Sequence, residues 1–586
     1  MESPRDHIGA KLKKIVTDLK FEKPPTIKEI DDSRFGDYFS NVAMQAFKLV
    51  KANIEGTYLH TDYGLARDPL DMAEKIKNAF GEDEIVSKIE VAKPGFINFY
   101  LSQKSLVENL NLILQQKENF GQSAILRNMK VMVEFTDPNP LKEFHIGHLY
   151  SNAVGESIAR LTESQGAEVW RANYQGDVGM HVAKALWGIM HHELKMEEAE
   201  GKPLLERAKF LGEAYALGAK AYEEDEAAKQ EIVSLNKKVY EKDPEVYPLY
   251  EKARQWSLDY FETIYQRLGT TFKRYYFESE AGPVGMEIVK EHIGDVFQEE
   301  GGAVIFPKEK SGLHTRVFIN SLGLPTYEAK ELGLAPTKYK DFPYDLSIII
   351  TGNEINEYFK VLLKALSLIR PELAEKTKHL SHGMVRLPSG KMSSRTGDVI
   401  TGEWLLQETK QKLEEAYPDM AQDVAEKLAV GAVKYALLKG TIGQDITFSF
   451  EESINLHGNS GPYVQYTHAR TQSVLEKAGG TWQVASGQEN YTPHATSYQQ
   501  EELDLLRMLV HFPEIVEESA EKFSPNHVCT YLFELSQAFN LFYEKHRVLN
   551  AENDEAKNFR IALTAGVGHV LKNGLHLLGI QAPQKI

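Results

Sequence analysis

The hydrophobic pattern changes period twice within residues 131–172, and that change decides the fold class. Val131–Phe135 (VMVEF) is an apolar run of strand length, and the breaker-rich TDPNP that follows cannot continue it. From about Gly147 to Gln165 the apolar residues recur at helical spacing and stop before Gly166; Glu168–Ala172 then reads as a second strand. Strand, loop, helix and strand in about 40 residues make a βαβ unit, whose right-handed crossover sets the two strands parallel. Parallel sheets bind ligands beyond the carboxyl ends of their strands, so the loop after VMVEF is the predicted site.

The rest of the chain is organised around this α/β unit. Residues 1–120 combine helical spacing at Tyr38–Val50 with an apolar strand at Phe96–Leu101, the pattern of a separate α+β domain. Residues 121–400 carry the parallel sheet, interrupted at about 190–270 by a Glu-, Lys-, Ala- and Leu-rich segment that reads as a helical insertion. Strand character returns at Ala303–Pro307 and at Leu346–Thr351 (LSIIIT), the latter apolar enough for a buried central strand. Residues 401–460 form a helical connection and 461–586 an all-helical bundle. A length of 586 residues fits such a set of domains.

Lys and Arg total 67 against 84 Asp and Glu, a net charge of −17, so a polyanionic partner must meet a local basic patch on an acidic body. Cys529 is the single cysteine, which excludes an internal disulfide and a cysteine-based zinc site. His181, His191 and His192 lack a carboxylate at ligand spacing and read as solvated helix residues, so no metal site is expected. No apolar stretch reaches the length of a membrane span or signal segment, and the expected setting is the cytoplasm, without membrane contact.

The chemistry concentrates in Pro138-Asn-Pro-Leu-Lys142-Glu-Phe-His145-Ile-Gly147-His148, between the first strand and its helix. Two histidines three apart at a helix start can both face one anion, assisted by free amide N–H groups and the helix dipole. Gly147 lets a flat base approach the backbone. A lone histidine there is as readily a helix cap, but Lys391-Met392-Ser393-Ser394-Arg395 follows downstream between glycines. A lysine and hydroxyls on such a loop can close over a triphosphate and stabilise the departing pyrophosphate.

HIGH followed by KMSSR resembles the class I aminoacyl-tRNA synthetases, which implies a Rossmann-like sheet and ATP binding by the two signatures together. The blocks PNPLKEFHIGHLYSNAVGESIARL, NYQGDVG, AVKYALLK, GPYVQYTHAR and LKNGLHLLGI cover nearly the whole chain and resemble the arginyl-tRNA synthetases among them. That resemblance implies ATP with Mg²⁺, L-arginine and tRNA(Arg) as partners, no prosthetic group, a monomer, attack by a ribose 2′-hydroxyl of the terminal adenosine, and activation of arginine only with transfer RNA bound. It places Glu134, Asp137, Asn139, Tyr327 and Glu331 around the arginine, with Glu331 standing where the family usually has Asp. A guanidinium requires planar carboxylate partners, so an acidic pocket is obligatory.

The resemblance also assigns ATP to His145, Gly147, His148, Lys391, Met392 and Ser393, with Asn353 and Glu354 near its ribose, and catalytic charge to Lys142, His145, His148 and Lys391. Ser394 and Thr396 occupy positions that are Lys in relatives, which leaves Lys142 and Arg395 to supply charge. For transfer RNA it indicates Asn98 and Gln103 in the N-terminal domain and Tyr463 and Arg470 in the C-terminal bundle, with Gln465, Tyr466, His468, Tyr543, Lys545, His546 and Arg547 nearby. The competing readings are an RNA-independent adenylating enzyme on the same fold, a non-catalytic RNA-binding relative, and a synthetase for lysine.

Overall fold

A computed structural model describes residues 3–17, 25–29, 33–54, 66–193, 195–388, 400–479 and 497–586. In the N-terminal part, β1 (Ile27–Glu29), β2 (Tyr38–Ser40), β3 (Val86–Ala92) and β4 (Phe96–Leu101) form an antiparallel sheet in the order β1-β2-β4-β3. The helix expected at Tyr38–Val50 starts later, at Val42, because Tyr38–Ser40 pairs with β4 and the Ser40 hydroxyl accepts the Val42 N–H at 3.2 Å. The helix Gln103–Gln116 leads out of this sheet and packs on the C-terminal helices Gln500–Lys522 and Asp554–Leu577.

Five parallel strands carry the centre: β5 (Lys130–Glu134), β6 (Glu168–Gln175) and β7 (Arg274–Phe277), then, after a three-stranded antiparallel sheet of β8 (Gln298–Glu300), β9 (Ala303–Phe306) and β10 (Arg316–Ile319), β11 (Leu346–Gly352) and β12 (Thr377–His382). Their order is β12-β11-β5-β6-β7, so the chain runs outward from β5 in one direction and then in the other. The reversal lies between β5 and β11, where such a sheet leaves a crevice at its carboxyl edge. The LSIIIT run is indeed interior, pairing with β5 on one side and β12 on the other.

The crossover helix Ile146–Ser164 lies directly on this sheet; a Cβ at Gly155 would stand 2.1 Å from the Phe135 ring, so only glycine permits the approach. Between β6 and β7 a stack of helices from Met180 to Leu268 forms the insertion, with its own apolar core around Leu186, Phe210, Ile232 and Trp256. After β12, β13 (Val385–Arg386) pairs in parallel with β14 (Ile446–Thr447), and the helices Gly402–Ala416 and Gln422–Leu438 lead into a bundle of Gly461–Ala478, Gln500–Lys522, Pro525–Lys545 and Asp554–Leu577. N- and C-terminal parts meet: the Tyr38 hydroxyl donates to Glu514 at 2.8 Å, Phe120 stacks on Phe512, and Lys572 pairs with Glu118.

Candidate active site

The loop between β5 and its helix is strained. Thr136, Asp137 and Leu141 all adopt positive φ (80°, 46° and 66°), a conformation side chains resist. Buried hydrogen bonds hold it: Ser151 Oγ accepts the Thr136 N–H at 2.9 Å while donating to the Ile350 carbonyl, and Asn152 Nδ2 donates to Thr136 Oγ1. Asn173 Nδ2 donates to the Phe135 carbonyl, and the Leu141 N–H donates to Ser257 Oγ. Strain fixed this firmly is characteristic of sites that must hold side chains ready.

His145 caps the helix. Its Nδ1 accepts the Gly147 N–H at 3.1 Å, and His148 Nδ1 faces the His145 N–H at 3.3 Å, so each ring keeps its proton on Nε2. The rings stack at 3.6 Å, and His148 also packs on Phe144. Burial, reinforced by Lys142, lowers His145 to about 4; burial and His145 hold His148 well below its ordinary value. The capping reading is met, with one correction to the charge expected of these residues: at neutral pH both histidines carry N–H groups and no positive charge. A Cβ at Gly147 would lie 3.0 Å from the His145 ring, so the glycine also serves the cap.

Beside them lies an acidic pocket at the carboxyl end of β5. Glu134, its last residue, is 1% exposed and pairs through Oε2 with Lys338 Nζ at 2.5 Å. Asp137 Oδ1 accepts the Tyr174 N–H at 2.7 Å; burial, then Glu134, raises Asp137 well above the carboxylate range. Burial, then Glu134, pushes Glu331 up to about 8. Asn139 Oδ1 lies 2.2 Å from where a Cβ on Gly176 would fall, and Glu278 Oε1 3.3 Å from the same point. Tyr327 opens the helix Tyr327–Asp341 at the pocket's outer end, 56% exposed, and its carbonyl accepts the Tyr358 hydroxyl. Glu134, Asp137 and Glu331 thus share one electrostatic neighbourhood, whereas Tyr327 stands at the rim.

Asn353 and Glu354 begin the turn after β11, across the crevice, and the Glu354 carboxylate folds to within 2.2 Å of where a Gly352 Cβ would sit. Lys142 is half-buried with its ammonium 5.0 Å from the Tyr215 ring centre, so the insertion covers this edge. Lys391, Met392, Ser393, Ser394, Arg395 and Thr396 lie outside the described residues.

The sequence reading missed two groups and misplaced one. Asp177, fully buried, accepts from the Tyr250 hydroxyl, Arg254 Nε, and the Ser279 N–H and hydroxyl, tying β6 to the insertion and to the helix Glu278–Glu291. Glu278 pairs with buried Lys330 at 2.5 Å. Asp177 stood in NYQGDVG without a role; a carboxylate between glycines after a predicted strand was the available signal. His181 is buried and bonded to the Gly176 carbonyl at 2.7 Å, not solvated, because its helix lays that face on the site.

Among the described residues one cluster has metal-ligand character, Glu29, His511 and Glu514 where the terminal domains meet, and Arg5 at 3.9 Å and the Tyr38 hydroxyl already answer Glu514.

Of the residues expected to touch RNA, Gln103 is exposed and Asn98 is buried within β4. Tyr463, Gln465 and His468 belong to the core; Tyr463 accepts from Asn540, Gln465 donates to the Lys427 and Gln581 carbonyls, and His468 bonds the Pro583 carbonyl. Tyr466 and Arg470 instead line a cleft of about 540 Å³ with Tyr543, His546 and Arg547. The helical periodicity carried both sets, and only the packing separates them.

Three family models match successive parts of the chain: the arginyl tRNA synthetase N terminal domain over residues 3–101, the tRNA synthetases class I (R) catalytic domain over 109–450, and the DALR anticodon binding domain over 464–586. The arginine–tRNA ligase of Parabacteroides distasonis is 31% identical over 552 residues, covering 89% of this chain and 91% of that one. That of Flavobacterium psychrophilum is 30% identical and covers 96% of both. The fold is that of the Thermus thermophilus arginyl-tRNA synthetase structure, with a TM-score of 0.79 at 23% identity over 99% of this chain and all of that one. With a catalytic model matched over more than half its length and relatives aligned almost end to end, the chain belongs to the arginyl-tRNA synthetases, a family of class I aminoacyl-tRNA synthetases.

Proposed function

We propose that the crevice between β5 and β11 joins L-arginine to ATP and passes the arginyl group to tRNA(Arg). The observation that carries this is the acidic site beside the histidine-capped helix: buried Glu134, already paired with a lysine, and the half-buried Asp137 and Glu331 ask for a further cation with planar donors. Glu134, Asp137 and Glu331 hold the guanidinium, Tyr327 closes the rim, and Asn139 faces the amino-acid end. The helix N-terminus and the Nε2–H groups of His145 and His148 receive the phosphates, which arrive with Mg²⁺ as part of the substrate.

The arginine carboxylate attacks the α-phosphate, the α–β bond breaks, and pyrophosphate leaves with its charge met by Lys142 and by Lys391 of the signature loop. Adenylate and enzyme share no covalent bond; positioning and charge stabilisation do the work. The terminal adenosine's hydroxyl then attacks the arginyl carbonyl, displacing AMP. Tyr466, Arg470, Tyr543 and Arg547 offer stacking faces and positive charge to unpaired bases of the transfer RNA.

Pyrophosphate exchange with purified protein tests this reading. Exchange with arginine, absent with lysine and lost in Lys391→Ala, is expected only when transfer RNA is present. Arginine-dependent exchange without RNA would favour an RNA-independent adenylating enzyme, and none under any condition would favour a non-catalytic RNA-binding protein.

A further inference from the structure

Tyr327, Glu331 and Lys338 stand at i, i+4 and i+11 and therefore share one stripe of their helix, which runs from the exposed rim to the pocket floor. Lys338 ends that stripe with its side chain 2% exposed, as is that of its partner Glu134. An ammonium buried so deeply keeps its charge most readily when a carboxylate meets it, and the reverse holds for Glu134. The other acid of this neighbourhood, Glu278, has its own lysine, Lys330. Asp137 and Glu331 have no cation within salt-bridge distance among the described residues, although both are held in the field of Glu134.

We propose that Lys338 is a positioning residue of the arginine site: it fixes one oxygen of Glu134 and leaves Asp137 and Glu331 without a cation of their own, so that the guanidinium enters as a proton leaves. This rests on the arginine reading given above. Before binding, the two uncompensated carboxyls hold a proton between them; on binding, the guanidinium N–H groups replace it and the proton passes to solvent. The groups facing the pair are Glu134 on β5, Glu278 at its edge with its own partner Lys330, Lys338 on the same helix as Glu331, and the neutral phenols of Tyr174, Tyr265 and Tyr358. Lys338 lowers the proton affinity of both Asp137 and Glu331, so removing it must shift their titration upward.

Two measurements on the full chain test this. The first is calorimetric titration of arginine into the wild type, with transfer RNA present, at pH 7.5 in phosphate and in Tris. About one proton released per arginine is expected, and equal heats in the two buffers would overturn the proposal. The second is the pH profile of kcat/KM for arginine in aminoacylation from pH 6 to 8.5. The wild type rises towards pH 8; Lys338→Met moves the rise upward, raising KM for arginine roughly 10-fold at pH 7 while KM for ATP and kcat hold, and Lys338→Arg restores the profile. A Lys338→Met profile parallel to the wild type, or losses equal for ATP and arginine, would make Lys338 merely structural. A wild type that neither binds nor charges arginine would instead overturn the functional reading itself.

Discussion

Lys434 lies completely buried on the helix Gln422–Leu438. Its ammonium donates to two carbonyls, Leu268 at the end of the insertion at 2.6 Å and Gly579 after the last helix at 2.8 Å. Three regions distant in sequence are thereby held at one point. Burial, partly offset by Glu156, lowers its pKa to about 7. Because an unfolded lysine titrates near 10.4, the unfolded chain binds more protons over this interval and stability must rise with pH. The deficit is full below pH 7 and vanishes above about 10.4; between pH 7 and pH 9 its change amounts to about 2 kcal/mol.

Lys434→Met keeps the side chain's approximate volume and removes the titration. It also strands two carbonyls, a loss of about 1–3 kcal/mol for each that does not depend on pH. Urea unfolding of both proteins at pH 7 and pH 9 separates these effects, since other titrating groups cancel in the difference. The wild-type advantage should grow by about 2 kcal/mol from pH 7 to pH 9. An advantage that stays constant would show that the lysine is buried fully charged, refuting the reasoning.

Gly155→Val drives carbon into the Phe135 ring, where even a Cβ would stand at 2.1 Å, and should cost about 1–3 kcal/mol, read as a lower Tm. Asp177→Asn leaves Arg254 and the Tyr250 and Ser279 donors without their buried anion; a loss of about 3 kcal/mol is expected in urea unfolding. Because His145 titrates only near 4, the KM for ATP should stay flat from pH 8 to pH 6 and rise only as pH falls towards that value. Arg547→Ala, at the exposed cleft of the C-terminal bundle, should raise KM for transfer RNA roughly 10-fold and leave KM for arginine unchanged in steady-state aminoacylation.

Three strands of the central sheet, β5, β6 and β11, were legible as runs of strand character bounded by breakers, and the switch from period 2 to 3.6 after Phe135 marks the crossover directly; the edge strands β7 (Arg274–Phe277) and β12 (Thr377–His382) went unread, the latter because TKHLSH is too polar to stand out as a strand. Tyr38–Ser40 escaped the same logic: an aromatic-rich triplet beside a helix matches helical spacing until the partner strand Phe96–Leu101 is known. Glu134, Asp137 and Glu331 could be named from motif context, since a guanidinium demands carboxylates. Lys338 could not, because its pairing joins residues 204 positions apart. The protonation of His145 and His148 was likewise illegible: motif spacing shows where two imidazoles stand, whereas their neutrality follows from burial and from the backbone N–H groups aimed at Nδ1. The C-terminal aromatics divide into core and cleft only through packing, which a helical stripe does not encode.

The claim on which the rest depends is that the pocket selects a guanidinium through Glu134. Aminoacylation of total transfer RNA should proceed with arginine and not with lysine, and Glu134→Gln, which removes a buried charge while preserving shape, should lower kcat/KM for arginine about 10–100-fold with KM for ATP unchanged. Charging with lysine at a comparable rate, or a Glu134→Gln enzyme as efficient with arginine as the wild type, would contradict the account.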